Sequence, residues 1–167
     1  MGNTITYLDD VEIWLSMTNG GTALLADLLA LAGGELSKSS REIYLSTWLA
    51  AALDQKIGGW GAVGFDLLKD FPWEVSSFRQ DHSFLLSLIA GAREQLGWVK
   101  LDYTPSMKHV EFYLAGFEKM LNALDPGLIK PPRSEHWVNS IIPNNPERCL
   151  KHGCFMHQEG CVICHNL

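Results

Sequence analysis

The cysteines of this chain are concentrated in its last nineteen residues, and this stretch constrains the fold more than any other feature. In a chain of 167 residues, residues 149–167 hold all four cysteines and three of the six histidines: Cys149, Cys154, Cys161, Cys164, His152, His157 and His165. Thiolates and imidazoles are the ligands that zinc prefers in proteins. The sequence therefore predicts a zinc-binding C-terminal tail at 149–167.

Two ligand pairs of the form ligand-x-x-ligand define the predicted site. Cys149 and His152 form the first pair, and Cys161 and Cys164 form the second. This spacing lets both side chains of a pair reach one cation, and a glycine such as Gly153 directly after the pair can adopt the positive φ that the turn requires. Three cysteines and one histidine complete a tetrahedral set with no open position, which is typical of a structural zinc site.

The remaining ligand candidates leave the stoichiometry open. Cys154, His157 and His165 are alternates that would replace one member of the first set or hold a second metal ion. The eight residues between His152 and Cys161 are enough for a short hairpin, with Gly160 as a turn residue. The tail as a whole resembles a zinc-knuckle or zinc-ribbon module.

Two other uses of the cysteines fit the sequence less well. Disulfides require an oxidising compartment, whereas the N-terminus has neither a basic segment nor the apolar run of an export signal. A redox pair at Cys161 and Cys164 would need a following helix to lower the thiol pKa, and only three residues follow Cys164. We therefore expect reduced cysteines and a cytoplasmic protein.

Composition and charge narrow the class of protein. Hydrophobic residues make up 47% of the chain, which is enough for a folded core. The net charge of −6 disfavours phosphate backbones and anionic membrane surfaces, and favours a basic protein partner. Five of the seven prolines lie from Pro126 onward, so the division that we expect is a helical body at 1–125, an extended connection at 126–148 and the tail.

Apolar residues recur at helical spacing through most of the body. Together with capping signals, this pattern predicts five helices, at 9–17, 23–32, 39–56, 80–96 and 106–124. Capping residues include the Asp9–Asp10 pair and the capping box Ser39-x-x-Glu42. The 23–32 segment is apolar except for Asp27, so it is expected to be buried on every side. We also predict a short strand at 137–142, within a mainly α fold with few strands.

The possible motifs in this chain lack the sequence context that catalysis or nucleotide binding requires. Gly59, Gly61 and Gly64 spell G-x-G-x-x-G, but the motif follows a helix instead of a strand, so a glycine-rich connection is expected. Gly2 and Thr6 match the myristoylation pattern, but the acidic neighbours oppose membrane anchoring. With no small-molecule substrate evident and no catalytic set, we expect a protein that is not an enzyme.

The body resembles small, acidic, mostly helical bacterial proteins that act as immunity partners of toxins. Size, acidity, the absence of a catalytic set and the segments 7–14 and 63–66, which are expected to be exposed, carry this resemblance. It implies that the chain occludes a basic protein without catalysis. The predicted partner surface comprises Asp9, Asp10, Glu12, Trp14, Trp60, Asp66 and Trp73. The alternatives are a zinc-containing adaptor or structural protein, a zinc-dependent nucleic-acid-binding protein and a zinc-dependent hydrolase.

Overall fold

The computed structural model describes residues 2–8, 11–129 and 136–166, and these residues form a mainly helical fold with one small sheet. The strands are β1 (Asn3–Thr6), β2 (Leu15–Met17) and β3 (Gly64–Asp66). The helices are α1 (Asn19–Leu36), α2 (Ser40–Ala52), α3 (Gln55–Gly58), α4 (Phe78–Arg93), α5 (Met107–Asn122) and α6 (Val162–His165). The mainly α class is confirmed, with six helices in the described part of the chain where five were predicted.

Helix α1 is the centre of the molecule. It packs against α2, α4, α5 and α6, and all but a few of its side chains are buried, as its apolar sequence predicted. Asp27 is acidic, unlike its apolar neighbours in α1, but it is buried as they are, with only 2% of its surface exposed. None of the described helices is both long and apolar enough to cross a lipid bilayer.

The glycines that were expected to bound α1 lie inside it. The helix begins after Thr18, whose hydroxyl accepts a hydrogen bond from the Gly21 amide, and it continues through Gly33 and Gly34 to Leu36. A Cβ atom at Gly34 would lie 2.6 Å from the carbonyl oxygen of Gly153. The close approach of the tail explains why residue 34 is a glycine. The helix end that was predicted at residue 32 is therefore wrong.

The N-terminal segment forms a sheet where a helix was predicted. Strand β1 lies in the middle, antiparallel to β2 and parallel to β3. In β2, Leu15 and Met17 are buried and Ser16 between them is exposed, which is the period-two pattern of a strand. The helix predicted at 9–17 is therefore wrong over its described residues, where Val11–Ile13 form only one 3-10 turn. Asp9 and Asp10 lie outside the described residues.

The other predicted helices are present with altered ends. The capping box at Ser39 and Glu42 is confirmed, but α2 ends at Ala52 and Asp54 caps the separate helix α3. The glycine-rich connection contributes strand β3. The strand predicted at 137–142 is wrong, since Trp137–Ile141 form a 3-10 helix that packs on α2, where Trp48 Nε1 donates a hydrogen bond to Asn139 Oδ1 over 2.7 Å.

The C-terminal tail is packed into the helical core. Cys149, Cys154, Cys161, Val162 and Ile163 belong to the same cluster of buried residues as the helices of the body. Arg148 fixes the approach of the tail to α1: its Nη1 atom donates to the carbonyl oxygens of Gly34 and Gly153 over 2.6 and 2.8 Å, and its guanidinium lies over the Phe155 ring. The site in the tail is thus held against the centre of the fold.

Candidate metal centre

The first ligand pair sits on the turn that its spacing predicted. The Gly153 amide donates to the Cys149 carbonyl over 2.8 Å, and the His152 amide lies 3.4 Å from the Cys149 sulfur. Gly153 has a φ of +70°, which confirms the left-handed conformation expected of it. This turn directs the Cys149 thiol and the His152 imidazole toward the same point.

The second ligand pair lies at the start of α6. Cys161 directly precedes the helix and Cys164 is its third residue, so one helical turn brings the two thiols to the same side. A tight turn from His157 to Gly160 leads into this helix, and Gly160 has a φ of +119°. The turn reverses the chain and returns Cys161 to the first pair.

The four predicted ligands form a compact cluster that could hold a metal ion. His152 Nδ1 lies 3.7 Å from the Cys149 sulfur, 3.6 Å from that of Cys161 and 3.4 Å from that of Cys164. The Cys149 and Cys164 sulfurs are 3.8 Å apart. Tetrahedral zinc with Zn–S bonds of about 2.3 Å and a Zn–N bond of about 2.0 Å would separate its ligands by about 3.5 Å for S–N pairs and about 3.8 Å for S–S pairs. The observed distances match this geometry.

Cys154 is outside this set although it is buried beside it. Its sulfur lies 3.3 Å from the Cys161 sulfur, in hydrogen-bond contact. A disulfide would require about 2.05 Å, and all four cysteines are free thiols. The described tail therefore contains no disulfide, and Cys154 contacts Cys161 beside the cluster of four.

Crowding of the thiols favours a cation at their centre. The hydrogen bond with Cys154, followed by burial, raises the pKa of Cys161 above the usual thiol range. Burial and the neighbouring Cys161 raise the pKa of Cys164 to about 12. Burial and the charge of Lys151 lower the pKa of His152, which keeps its imidazole neutral and able to donate a lone pair. Three thiols in one place lose their protons readily only when a cation compensates the charge.

His157 and His165 meet a residue that the sequence did not single out. The buried Asp54, at the N-cap of α3, accepts hydrogen bonds through Oδ2 from His157 Nε2 over 2.8 Å and from His165 Nδ1 over 2.6 Å. Its Oδ1 atom accepts from the Lys56 amide over 3.0 Å. Burial alone would raise the pKa of Asp54, but the two histidine hydrogen bonds outweigh burial and hold the pKa below its ordinary value.

These three side chains also satisfy the spacing of a metal site, but their hydrogen bonds assign them differently. The Glu159 amide donates to His157 Nδ1 over 3.2 Å, so that nitrogen carries the lone pair and Nε2 carries the proton. Nε2 therefore points its N–H at Asp54, with no lone pair available for a cation. We interpret Asp54, His157 and His165 as a buried junction between tail and body, which we call the Asp54 junction.

Some residues of the predicted partner surface are exposed in the structure and others are buried. Trp14 and Trp60 are exposed, as is Glu12, whereas Asp9 and Asp10 lie outside the described residues. Trp73 and Asp66 do not belong to an exposed surface. Trp73 is 2% exposed and packs between Phe71 and Phe78. Its indole N–H donates a hydrogen bond to the Leu67 carbonyl, so the ring is buried with its donor satisfied.

Asp66 is buried because it organises a turn. Its Oδ1 atom accepts hydrogen bonds from the Leu68 and Lys69 amides, and Oδ2 accepts one from the Thr6 hydroxyl over 2.9 Å. Only 8% of the residue is exposed. Its carboxylate is thus committed to the loop after β3 and is corrected from a surface contact to a turn residue.

An exposed apolar groove lies beside Trp14, which the sequence did not predict. Phe112 on α5 is 64% exposed, and Trp14 is 44% exposed. Both line a groove of about 910 Å³ between the N-terminal segment and α5, along which Glu12, Glu111, Lys108 and Lys119 also lie. Phe112 lies on the outward face of the amphipathic helix α5. An aromatic residue among the polar residues of such a face is the sequence signal that could have identified it.

Comparison of the chain with protein-family models, with curated proteins and with solved structures finds no match.

Proposed function

We propose that Cys149, His152, Cys161 and Cys164 bind one structural zinc ion that stabilises the tail against the helical body. The observation that supports this most strongly is the set of ligand separations, which match those of a tetrahedral zinc site at S–N and S–S pairs alike. Zinc is favoured over harder cations because three of the four donors are sulfur.

The proposed ion has a structural and not a catalytic role. Four protein ligands fill the tetrahedral coordination shell, so no position remains for a water molecule or substrate. His152, Cys149 and Cys161 are also buried. Free thiols in such a cluster persist in a reducing compartment, and we accordingly propose that the protein works in the cytoplasm.

Metal analysis tests the proposal directly. Protein purified in reducing buffer without added zinc is expected to contain about one zinc per chain, because thiolate ligands supply most of the binding free energy in such sites. The double variant Cys161→Ser and Cys164→Ser is expected to lose the metal. Elemental analysis of the desalted protein provides the measurement.

Cys154→Ser is the matched control, since it changes a buried cysteine that touches a ligand without removing one. It is expected to retain one zinc per chain. Loss of the metal in Cys154→Ser would make Cys154 a ligand, and absence of metal from the reduced wild-type protein would refute the zinc site altogether.

We propose, as a second function, that the protein binds a basic protein partner without catalysis. Exposed Trp14 and Phe112 on the walls of one groove support this, because aromatic side chains dominate the energy of protein interfaces. Two carboxylates and two lysines line the groove, so attraction of a basic partner would depend on the net charge of −6 and on Asp9 and Asp10 nearby in sequence.

Quantitative pull-down from the native cell tests this second function. Trp14→Ala with Phe112→Ala is expected to remove the bound partner, and Asp9→Lys with Asp10→Lys is expected to weaken its capture. Trp137→Ala, an exposed tryptophan away from the groove, is the matched control and should change nothing. An unchanged partner profile in the groove variant would refute this surface, and recovery of RNA or DNA would favour the nucleic-acid alternative.

A further inference from the structure

A second cleft lies between the N-terminal half of α1, the start of α5 with the segment before it, and the end of the tail. It has a volume of about 470 Å³, which lies within the size range of small-molecule sites. The residues that line it include Leu24, Asp27, Tyr103, Ser106, Tyr113 and Asn166. The cleft adjoins the Trp14 groove, since His109 and Tyr113 line both, and none of the four proposed metal ligands lines it.

A carboxylate on the wall of the cleft is the unusual feature of this site. Asp27 is 2% exposed, and its two oxygens accept hydrogen bonds from Tyr103 Oη and from Asn166 Nδ2, each over 2.8 Å. Among the described residues, no cationic group forms an ion pair with Asp27. Two neutral donors do not compensate a buried negative charge, so the carboxylate lacks a counter-ion.

Burial without a counter-ion makes the Asp27 carboxyl a weaker acid than an exposed aspartate. Burial raises its pKa to about 7, partly offset by the hydrogen bonds from Asn166 and Tyr103, and the nearby Asp54 raises it further. An asparagine at this position would avoid the charge and could keep both neighbours bonded, because the Oδ1 atom of Asn166 has no partner among the described residues. A residue that costs stability inside a cleft is typical of a binding site.

The lining of the cleft selects the class of ligand. Tyr103 and Tyr113 line the cleft, and aromatic rings attract organic cations. Of the lining residues only His109, which is exposed, can carry a positive charge, so the cleft offers no buried group for an anion. A ligand ammonium group would supply the counter-ion that Asp27 lacks.

We propose that this cleft binds a small organic amine, with the ammonium group on the Asp27 carboxylate and the apolar part against Tyr103 and Tyr113. The remaining lone pairs of the Asp27 oxygens accept from the ammonium, since each oxygen already receives only one hydrogen bond. The inference is independent of the zinc site and of the proposed protein partner.

Calorimetric titration of the full-length protein with 2-phenylethylamine tests the proposal. We expect saturable binding of one amine per chain, with 2-phenylethanol binding at least about tenfold more weakly because a charge-assisted hydrogen bond is lost. Phenylacetate, which carries the opposite charge, is expected not to bind.

Two variants locate the binding site. Asp27→Asn is expected to weaken amine binding at least about tenfold. Ser106→Trp places a large ring in the cleft at an exposed residue whose side chain makes no capping hydrogen bond, so it should block binding and leave the fold intact. Asp102→Asn, an exposed carboxylate that pairs with Lys151, is the matched control and should bind as the wild type does.

Several results would overturn the proposal. It fails if the amine does not bind, if the amine and the alcohol bind equally, or if Asp27→Asn retains wild-type affinity with a native circular dichroism spectrum. Should Asp27→Asn not fold, Ser106→Trp decides, and wild-type binding by that variant refutes the site.

Discussion

A chain truncated after Asp125 is expected to lose the cooperative unfolding transition of the full-length protein and to bind hydrophobic dyes. The truncation removes six buried apolar side chains: Ile129, Val138, Ile142, Phe155, Val162 and Ile163. Burial of each such side chain contributes about 1.5–3 kcal/mol, and whole domains are stable by only about 5–15 kcal/mol. The loss is therefore comparable with the net stability of the protein. Circular dichroism with urea denaturation measures it.

The same truncation removes hydrogen-bond partners from two carboxylates of the body. Asp54 loses the hydrogen bonds of His157 and His165, and Asp27 loses that of Asn166. The full-length Cys161→Ser and Cys164→Ser variant is the control, because it lacks the proposed metal but keeps the six apolar side chains that the truncation removes. A truncated chain that unfolds cooperatively with native helicity would show instead that residues 1–125 fold by themselves, as the sequence predicted.

Replacement of Asp54 by alanine is expected to lower the free energy of unfolding by about 2–6 kcal/mol, because each buried donor that is left without an acceptor costs about 1–3 kcal/mol. The reason is that His157 Nε2 and the Lys56 amide would lose their acceptor where little water can replace it. Asp54→Asn, which keeps one acceptor oxygen, is expected to lie between alanine and the wild type. Urea denaturation at pH 7 gives the measurement.

Asp102→Ala is the matched control for Asp54, because it removes an exposed carboxylate that pairs with Lys151 at the surface. We expect its effect to be within about 0.5 kcal/mol. Metal analysis of the Asp54→Ala protein separates two interpretations of the Asp54 junction. Retention of one zinc per chain agrees with a hydrogen-bonded junction, whereas a fall from two metals to one would make Asp54, His157 and His165 a second metal site.

The spacing of the apolar residues predicted most of the helices correctly. It gave wrong limits for α1, which contains glycines, and a wrong helix at 9–17, where the chain contributes a strand to the sheet. Helices α4 and α5 were found near their predicted limits because their apolar stripes repeat at helical spacing without interruption. Glycines flank the predicted 23–32 helix, yet Gly21, Gly33 and Gly34 lie inside α1 and allow Tyr113, Ser46 and Gly153 to approach it closely. Such contacts come from distant parts of the chain and leave no local pattern.

Strand β2 illustrates the same limit. Its three residues alternate in burial, but the segment before α1 also has apolar residues at helical spacing, and so short a stretch fits both periods. Pairing with β1 decides in favour of the strand, since β1 is buried between β2 and β3 and needs both neighbours for its backbone hydrogen bonds. Neither neighbour could be inferred from the strand itself.

The sequence by itself determined the cluster of Cys149, His152, Cys161 and Cys164, because ligand-x-x-ligand pairs fix local turns and only two such pairs had to meet. It could not determine the partners of His157, His165 and Asn166, which are carboxylates more than a hundred residues earlier in the chain. A lone aspartate in an apolar helix marked Asp27 as exceptional. Only the tertiary structure decided that its charge is buried beside a cleft, because burial depends on which elements pack around a residue and not on its neighbours in sequence.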